Sequence, residues 1–137
     1  MNPRQVAEYM FDQDYFSQWM NIKLIEVKEN YCLIEMPIKK EMINGLKTVH
    51  GGVTFAFADS ALAFSSNNSG DAAVALNCII NFTKAGKEGD TFRAESILVN
   101  ETRKTAVYDI KITNQNEELI AKFVGTVYKI GKKVIDL

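Results

Sequence analysis

The chain has 137 residues, 47% of them hydrophobic and 24% charged, with a formal net charge of -1. That length supports one core and is too short for two large lobes, and eight Gly and two Pro exclude collagen-like and proline-rich disordered classes. The sixteen Lys and Arg are scattered, with no run longer than a pair, so there is no basic face for nucleic acid.

No apolar leader follows Met1, and no uncharged stretch reaches the roughly 18 residues a membrane helix needs. A cytoplasmic protein that engages neither membrane nor nucleic acid is expected. Residues 1–20 form an N-terminal helical segment: Val6, Met10, Phe11, Tyr15, Phe16 and Trp19 have the spacing of one or two short amphipathic helices, with Pro3 well placed at the start. Strand-like runs follow at 22–28 and 31–38, around the turn pair Glu29-Asn30. In the second run Cys32, Ile34, Met36 and Ile38 alternate with Leu33, Glu35 and Pro37, the period of a half-buried strand.

The pattern then breaks into a loop over 39–52 containing three glycines. The loop leads into Val53–Phe64, which is apolar almost all round and rich in Ala. This text predicts a buried central helix over 52–68, stopped near Gly70 by a Ser-Ser-Asn-Asn-Ser-Gly exit. Four further strands are expected at 72–83, 91–99, 104–113 and 118–130, joined by polar turns. The third is the clearest, with Ala106, Tyr108, Ile110 and Ile112 on one face and Val107, Asp109, Lys111 and Thr113 on the other. The order of helix, two strands, buried helix and four strands favours an α+β domain in which an antiparallel β-sheet wraps one central α-helix.

The chemical inventory is narrow. His50 is the one histidine, and Cys32 and Cys78 lie far apart in apolar runs, so no zinc-ligand spacing exists and no metal is expected. The two cysteines read as reduced packing residues. A nucleophile elbow, a phosphate-binding P-loop and a dinucleotide-binding glycine loop are all missing, and no cofactor is expected. Any catalysis has to use carboxylates, amides and backbone N–H groups.

Two features stand out against that inventory. Asp59 falls inside the apolar helix, where an unpaired carboxylate costs several kcal/mol if buried. It is either a hydrogen-bonded support for a neighbouring loop or a catalytic carboxylate facing a cleft. His50-Gly51-Gly52 stands at the helix entrance. The glycines form either a tight turn with positive φ or a close backbone approach, where free N–H groups bind a developing oxyanion. His50 is either a loop anchor or a base.

The stretch Asn44-Gly45 … His50-Gly51-Gly52 … Ala58-Asp59, continued by Asn81–Gly86, Gly89-Asp90 and Thr105–Asp109, resembles the signature of the hotdog-fold thioesterases, in particular the phenylacetic-acid-degradation type. The resemblance spans residues 20–130 and implies one hotdog domain over 1–137. It also implies hydrolysis of acyl-coenzyme A, with small-to-medium and phenylacetyl-type acyl groups as the expected substrates. Assembly as a homodimer at least, and often as a homotetramer of two dimers, is implied too. By matching position, Asp59 is the expected general base or nucleophile, Gly51 the oxyanion donor, and Asn44 and His50 polar companions at the acyl carbonyl. Gly52, Asn77 and Lys84 are expected to bind substrate, although Lys84-Ala85 stands where the family usually has Arg-Pro or Lys-Pro. A hotdog hydratase or dehydratase, or a non-catalytic acyl-CoA-binding module, is the alternative.

Overall fold

The computed structural model describes all of residues 1–137. The N-terminal segment is two helices, α1 (Pro3–Phe11) and α2 (Tyr15–Trp19). Asn2 caps α1 in a reciprocal box with Gln5, and Pro3 takes the first turn, where its missing N–H costs nothing. Asp14 caps α2: its carboxylate accepts from the Ser17 N–H at 2.9 Å and from the Ser17 hydroxyl at 2.6 Å.

Strands β1 (Lys23–Lys28) and β2 (Tyr31–Pro37) form a hairpin, with Asn30 at positive φ in its turn. After a 3-10 turn at Lys40–Met42 comes α3 (Gly51–Ser66), then β3 (Asp71–Phe82), β4 (Thr91–Glu101), β5 (Thr105–Thr113) and β6 (Leu119–Lys133). All six strands join one antiparallel sheet in the order β1-β2-β4-β5-β6-β3. The chain thus crosses from β2, through α3, to β3 at the far edge before filling the middle. No helix is long and apolar enough to cross a membrane.

The alternation read from the sequence survives in three dimensions. Cys32, Ile34 and Met36 of β2, and Ala106, Tyr108, Ile110 and Ile112 of β5, are all buried under α3. Across from them α3 buries Phe57, Ala58, Ala61, Leu62 and Phe64. Cys32 is inside this core, donating to the Ala61 carbonyl at 3.2 Å, whereas Cys78 is only half-buried on β3. Both thiols are free: Cys32 lies inside the core and Cys78 packs against it from β3.

The central helix begins one residue earlier and ends two residues sooner than 52–68, because the polar exit does more than stop it. Asn67 and Asn68 are buried. The Asn68 amide donates to the Lys28 and Tyr31 carbonyls and its oxygen accepts from the Asn30 N–H, tying the end of α3 to the β1–β2 turn. The Asn67 side chain brackets the Ala73 backbone at the start of β3. Two asparagines therefore fix both neighbouring elements relative to α3.

The separation of α3 from the sheet is set at Gly125 in β6. A Cβ placed there would lie 2.7 Å from Leu62 Cδ2 and 3.0 Å from Phe123 Cε1, and both side chains are themselves buried. Gly125→Ala is expected to lower stability by about 1–3 kcal/mol through overpacking. Urea unfolding measures this, and an unchanged midpoint would mean that α3 is not seated against that position.

Candidate functional site

The entrance of α3 is built from the loop 43–50. Asn44 folds this loop on itself: its Oδ1 accepts from the Leu46 N–H at 2.9 Å and from the Thr48 N–H at 3.2 Å. The His50 N–H donates to the Met42 carbonyl, and the Val49 N–H to the Gly86 carbonyl. His50 is then the N-cap of α3, with its Nδ1 accepting from the Gly52 N–H at 2.9 Å. Of the readings open for His50, the structure displays the loop anchor.

This arrangement consumes the Gly52 N–H and leaves the Gly51 N–H with no partner in the protein. Neither glycine has positive φ; those that do are Gly70, Gly89 and Gly131. The turn reading of the Gly-Gly pair is therefore wrong, and the pair serves space instead. A Cβ on Gly51 would lie 3.3 Å from Phe82 Cζ, and one on Gly52 would lie 3.0 Å from His50 Nδ1.

The free Gly51 N–H borders a cleft of about 360 Å³, whose lining includes Thr54, Phe82, Lys84, Gly86 and Ile120. Lys84 pairs with Glu118 at 3.2 Å, and the Asn114 amide together with that lysine holds the Glu118 carboxyl below its usual range. A second cavity of about 220 Å³ lies between α2, the turn at 39–42 and Val53 in the first turn of α3. The helix entrance is thus flanked by two hollows of different character.

Asp59 departs from the expectation of a carboxylate sealed inside the helix. It is exposed in the single chain, on an outward stripe of α3 with exposed Gly52 and half-buried Ala56 and Ala63, beside Phe55, whose ring meets Phe123 of β6 edge-on at 5.3 Å between centroids. The desolvation argument from sequence therefore does not apply in full. Even so, the protein gathered around it, and then the charge of Asp14, push its pKa up. The charge of Asp59 is in turn felt at Cys78, whose pKa is raised chiefly by burial. Asp59 is therefore within electrostatic reach of Asp14 at the start of α2 and of Cys78 on β3. The buried hydroxyl contact between Ser17 and Ser60, 2.9 Å, fixes α2 at that place. Sequence reasoning missed this role of α2, because a contact between Ser17 and Ser60, 43 residues apart, leaves no local trace.

Gly51 and Asp59 lie on one helix, eight residues and therefore about 12 Å apart along its axis. Gly51, Gly52 and His50 converge at the entrance and Lys84 lines the cleft beside them. Asn44 is turned into its own loop, and Asn77 is exposed on β3, next to an irregularity in its pairing with β6. Neither lines the cleft or the second cavity.

A central helix embraced by one six-stranded antiparallel sheet defines a hotdog-fold protein. Residues 46–121 match the thioesterase superfamily model, and the chain belongs to that superfamily of thioester-cleaving enzymes. It is 36% identical over 127 residues to the acyl-coenzyme A thioesterase PaaI of Escherichia coli, covering 93% of this chain and 91% of that one. The E. coli PaaI structure superposes with a TM-score of 0.94 at 35% identity, covering 96% of this chain and 95% of the other. A point mutant of the phenylacetic acid degradation protein PaaI from Thermus thermophilus gives a TM-score of 0.82 at 30% identity, over 85% and 100% of the two chains. A Streptococcus mutans protein bound to acetyl CoA gives 0.79 at 29% identity, over 82% and 90%.

The raised pKa of Asp59 means that the folded state holds its proton more tightly than the unfolded chain, so ionisation of this group opposes folding. Asp59→Asn is therefore expected to raise the Tm at neutral pH. The gain should fade as pH falls below the carboxylate range, where both states carry the proton. A Tm lowered at neutral pH would contradict this.

Proposed function

We propose that this chain is an acyl-CoA thioesterase acting on small-to-medium acyl groups, aromatic ones of the phenylacetyl kind included. The observation that carries the reading is the unpartnered Gly51 N–H at the entrance of α3, bordering a cleft that also holds Lys84. An N–H aimed at the carbonyl oxygen of a bound thioester stabilises the charge that develops there, a contact worth about 2.7–4 kcal/mol. The Asp59 carboxylate supplies the other half of the chemistry, either taking a proton from the attacking water or attacking the carbonyl carbon itself. The C–S bond then breaks; where Asp59 was the attacker, water next hydrolyses the resulting anhydride, releasing the acid and restoring the carboxylate. Because a thiol has a pKa near about 8.5, the thiolate leaves without a strong acid behind it, which suits a site whose one imidazole is occupied as a helix cap. Lys84 is suited to the anionic nucleotide end of the substrate. The relatives named for acyl-CoA and for phenylacetic acid degradation support the substrate class.

The catalytic pair is drawn from two chains in this reading. A reacting carbon must lie about 3–3.5 Å from the carboxylate while its oxygen meets the N–H, which one helix cannot satisfy across about 12 Å. Two antiparallel copies can, with the outward stripes of α3 facing each other and the open β3 edges side by side. The bare apolar groups on β3 (Val74, Leu76, Ile79 and Phe82) supply the surface for that pairing.

Complementation tests this arrangement. Asp59→Asn keeps the shape and is expected to cut turnover at least about a hundredfold. Gly51→Pro removes the donor N–H at the first helical position, where proline is tolerated and where His50 already has extended backbone (φ -61, ψ 131). Each homodimer should be nearly inactive, and an equal mixture that reassorts at random should recover about a quarter of wild-type turnover. No recovery in well-folded mixed dimers would sink the shared site, and no hydrolysis of any acyl-CoA by the wild type would sink the function.

The pH profile gives an independent check. Asp59 has to be ionised to act, so kcat/KM should rise with pH through its pKa. Asp14→Asn preserves the cap on α2 and removes the neighbouring charge, and should move that acid limb to lower pH. An unmoved limb would show that another group controls it.

A further inference from the structure

The second cavity has no part in the mechanism above, yet it shares the first turn of α3 with the oxyanion donor. Its lining is Trp19, Met20, Lys39, Glu41, Met42 and Val53. Val53 is two residues from Gly51, so the two hollows lie on either side of the point where the thioester carbonyl must dock. The cleft on one side carries Lys84 and suits the charged, leaving end of the substrate. The cavity on the other side is faced by one indole, two thioethers and a valine, with Lys39 and Glu41 of opposite charge in its rim.

A large side chain left in solvent needs a reason, and Trp19 is 74% exposed on α2. It is not a stray surface group. Ser17, on the same short helix, is pinned to Ser60 through a buried hydroxyl pair, which holds α2 against α3. Phe16 flanks the indole at 6.0 Å between ring centroids, tilted by 50°. An apolar cavity of about 150 Å³ is enough to hold a benzene ring. About 220 Å³ is therefore room enough for a ring on a short linker.

We infer that this cavity receives the acyl group of the thioester and that Trp19 determines its specificity, favouring small aromatic acyl groups. The inference rests on the thioesterase reading and adds to it the place where the acyl group is read. Ring-on-ring contact with the indole supplies the preference. Trp19 takes no part in the bond-breaking step.

The test uses the full-length protein and two readouts. Trp19 is the one tryptophan of the chain, so intrinsic tryptophan fluorescence reports this cavity alone. A non-hydrolysable thioether analogue of phenylacetyl-CoA should shift or quench the emission of the wild type, and CoA by itself should not. In steady-state assays Trp19→Ala should lower kcat/KM for phenylacetyl-CoA by about tenfold or more and that for acetyl-CoA by less than about twofold, with Trp19→Phe restoring most of the loss. Emission unmoved by the analogue, or moved equally by CoA, would overturn the inference. So would an equal loss on both substrates, or a change in the oligomeric state of Trp19→Ala by size exclusion. Wild-type hydrolysis of phenylacetyl-CoA without discrimination at Trp19 defeats only this inference and leaves the thioesterase reading standing.

Discussion

Everything at the site depends on how α3 lies against the sheet. The helix is apolar on nearly every side, and one stripe of it, with Asp59, stays outside the sheet. Small residues set how deep it lies. Gly125 on β6 admits Leu62, Ala58 and Ala61 let the strands come close, and the buried asparagines 67 and 68 lock the far end to the hairpin turn and to β3. The entrance is then fixed from outside the helix by Met42 and Gly86, whose carbonyls hold His50 and Val49. A free N–H at Gly51 is useful only because its surroundings cannot relax to satisfy it.

The same helix explains the division of labour among polar groups. The Nδ1 of His50 is engaged in holding the first turn, which leaves one N–H donor exposed instead of two. Asp59 sits two turns on, next to Ser60, whose hydroxyl meets Ser17 of α2. An N-terminal segment that looks like an appendage in the sequence is therefore part of the environment of the carboxylate.

Much of this was legible in the chain itself. Residues 32–38 and 106–112 alternate cleanly because each of these strands has one face on α3, and period-2 text reports that directly. The central helix, the Gly51-Gly52 entrance and the family followed from the run 44–63. Other features were not legible, each for a physical reason. Periodicity reports which face of a strand is buried but not which strand lies beside it, so the placement of β3 at the far edge could not be read. Asp59 in apolar text suggests burial, yet the outward stripe it shares with Ala56 and Ala63 is apolar as well, and local sequence does not distinguish a stripe covered by its own sheet from one left open. Asn67 and Asn68 read as a polar stop because side-chain bonds to a turn some forty residues upstream leave no local trace.

The two edges of the sheet are not alike. β1 is six residues long and carries Lys23, Glu26 and Lys28, so it offers a poor template for another strand. β3 is twelve residues long, free of lysine and proline, and presents four large apolar side chains to solvent. A chain with two receptive edges could add neighbours without end and grow into a ribbon. A chain with one receptive edge and one blunted edge has a single place where another strand can add, and pairing there would leave only blunted β1 strands at the two ends. The asymmetry acts as a chain terminator: this sheet carries its own brake against edge-to-edge growth.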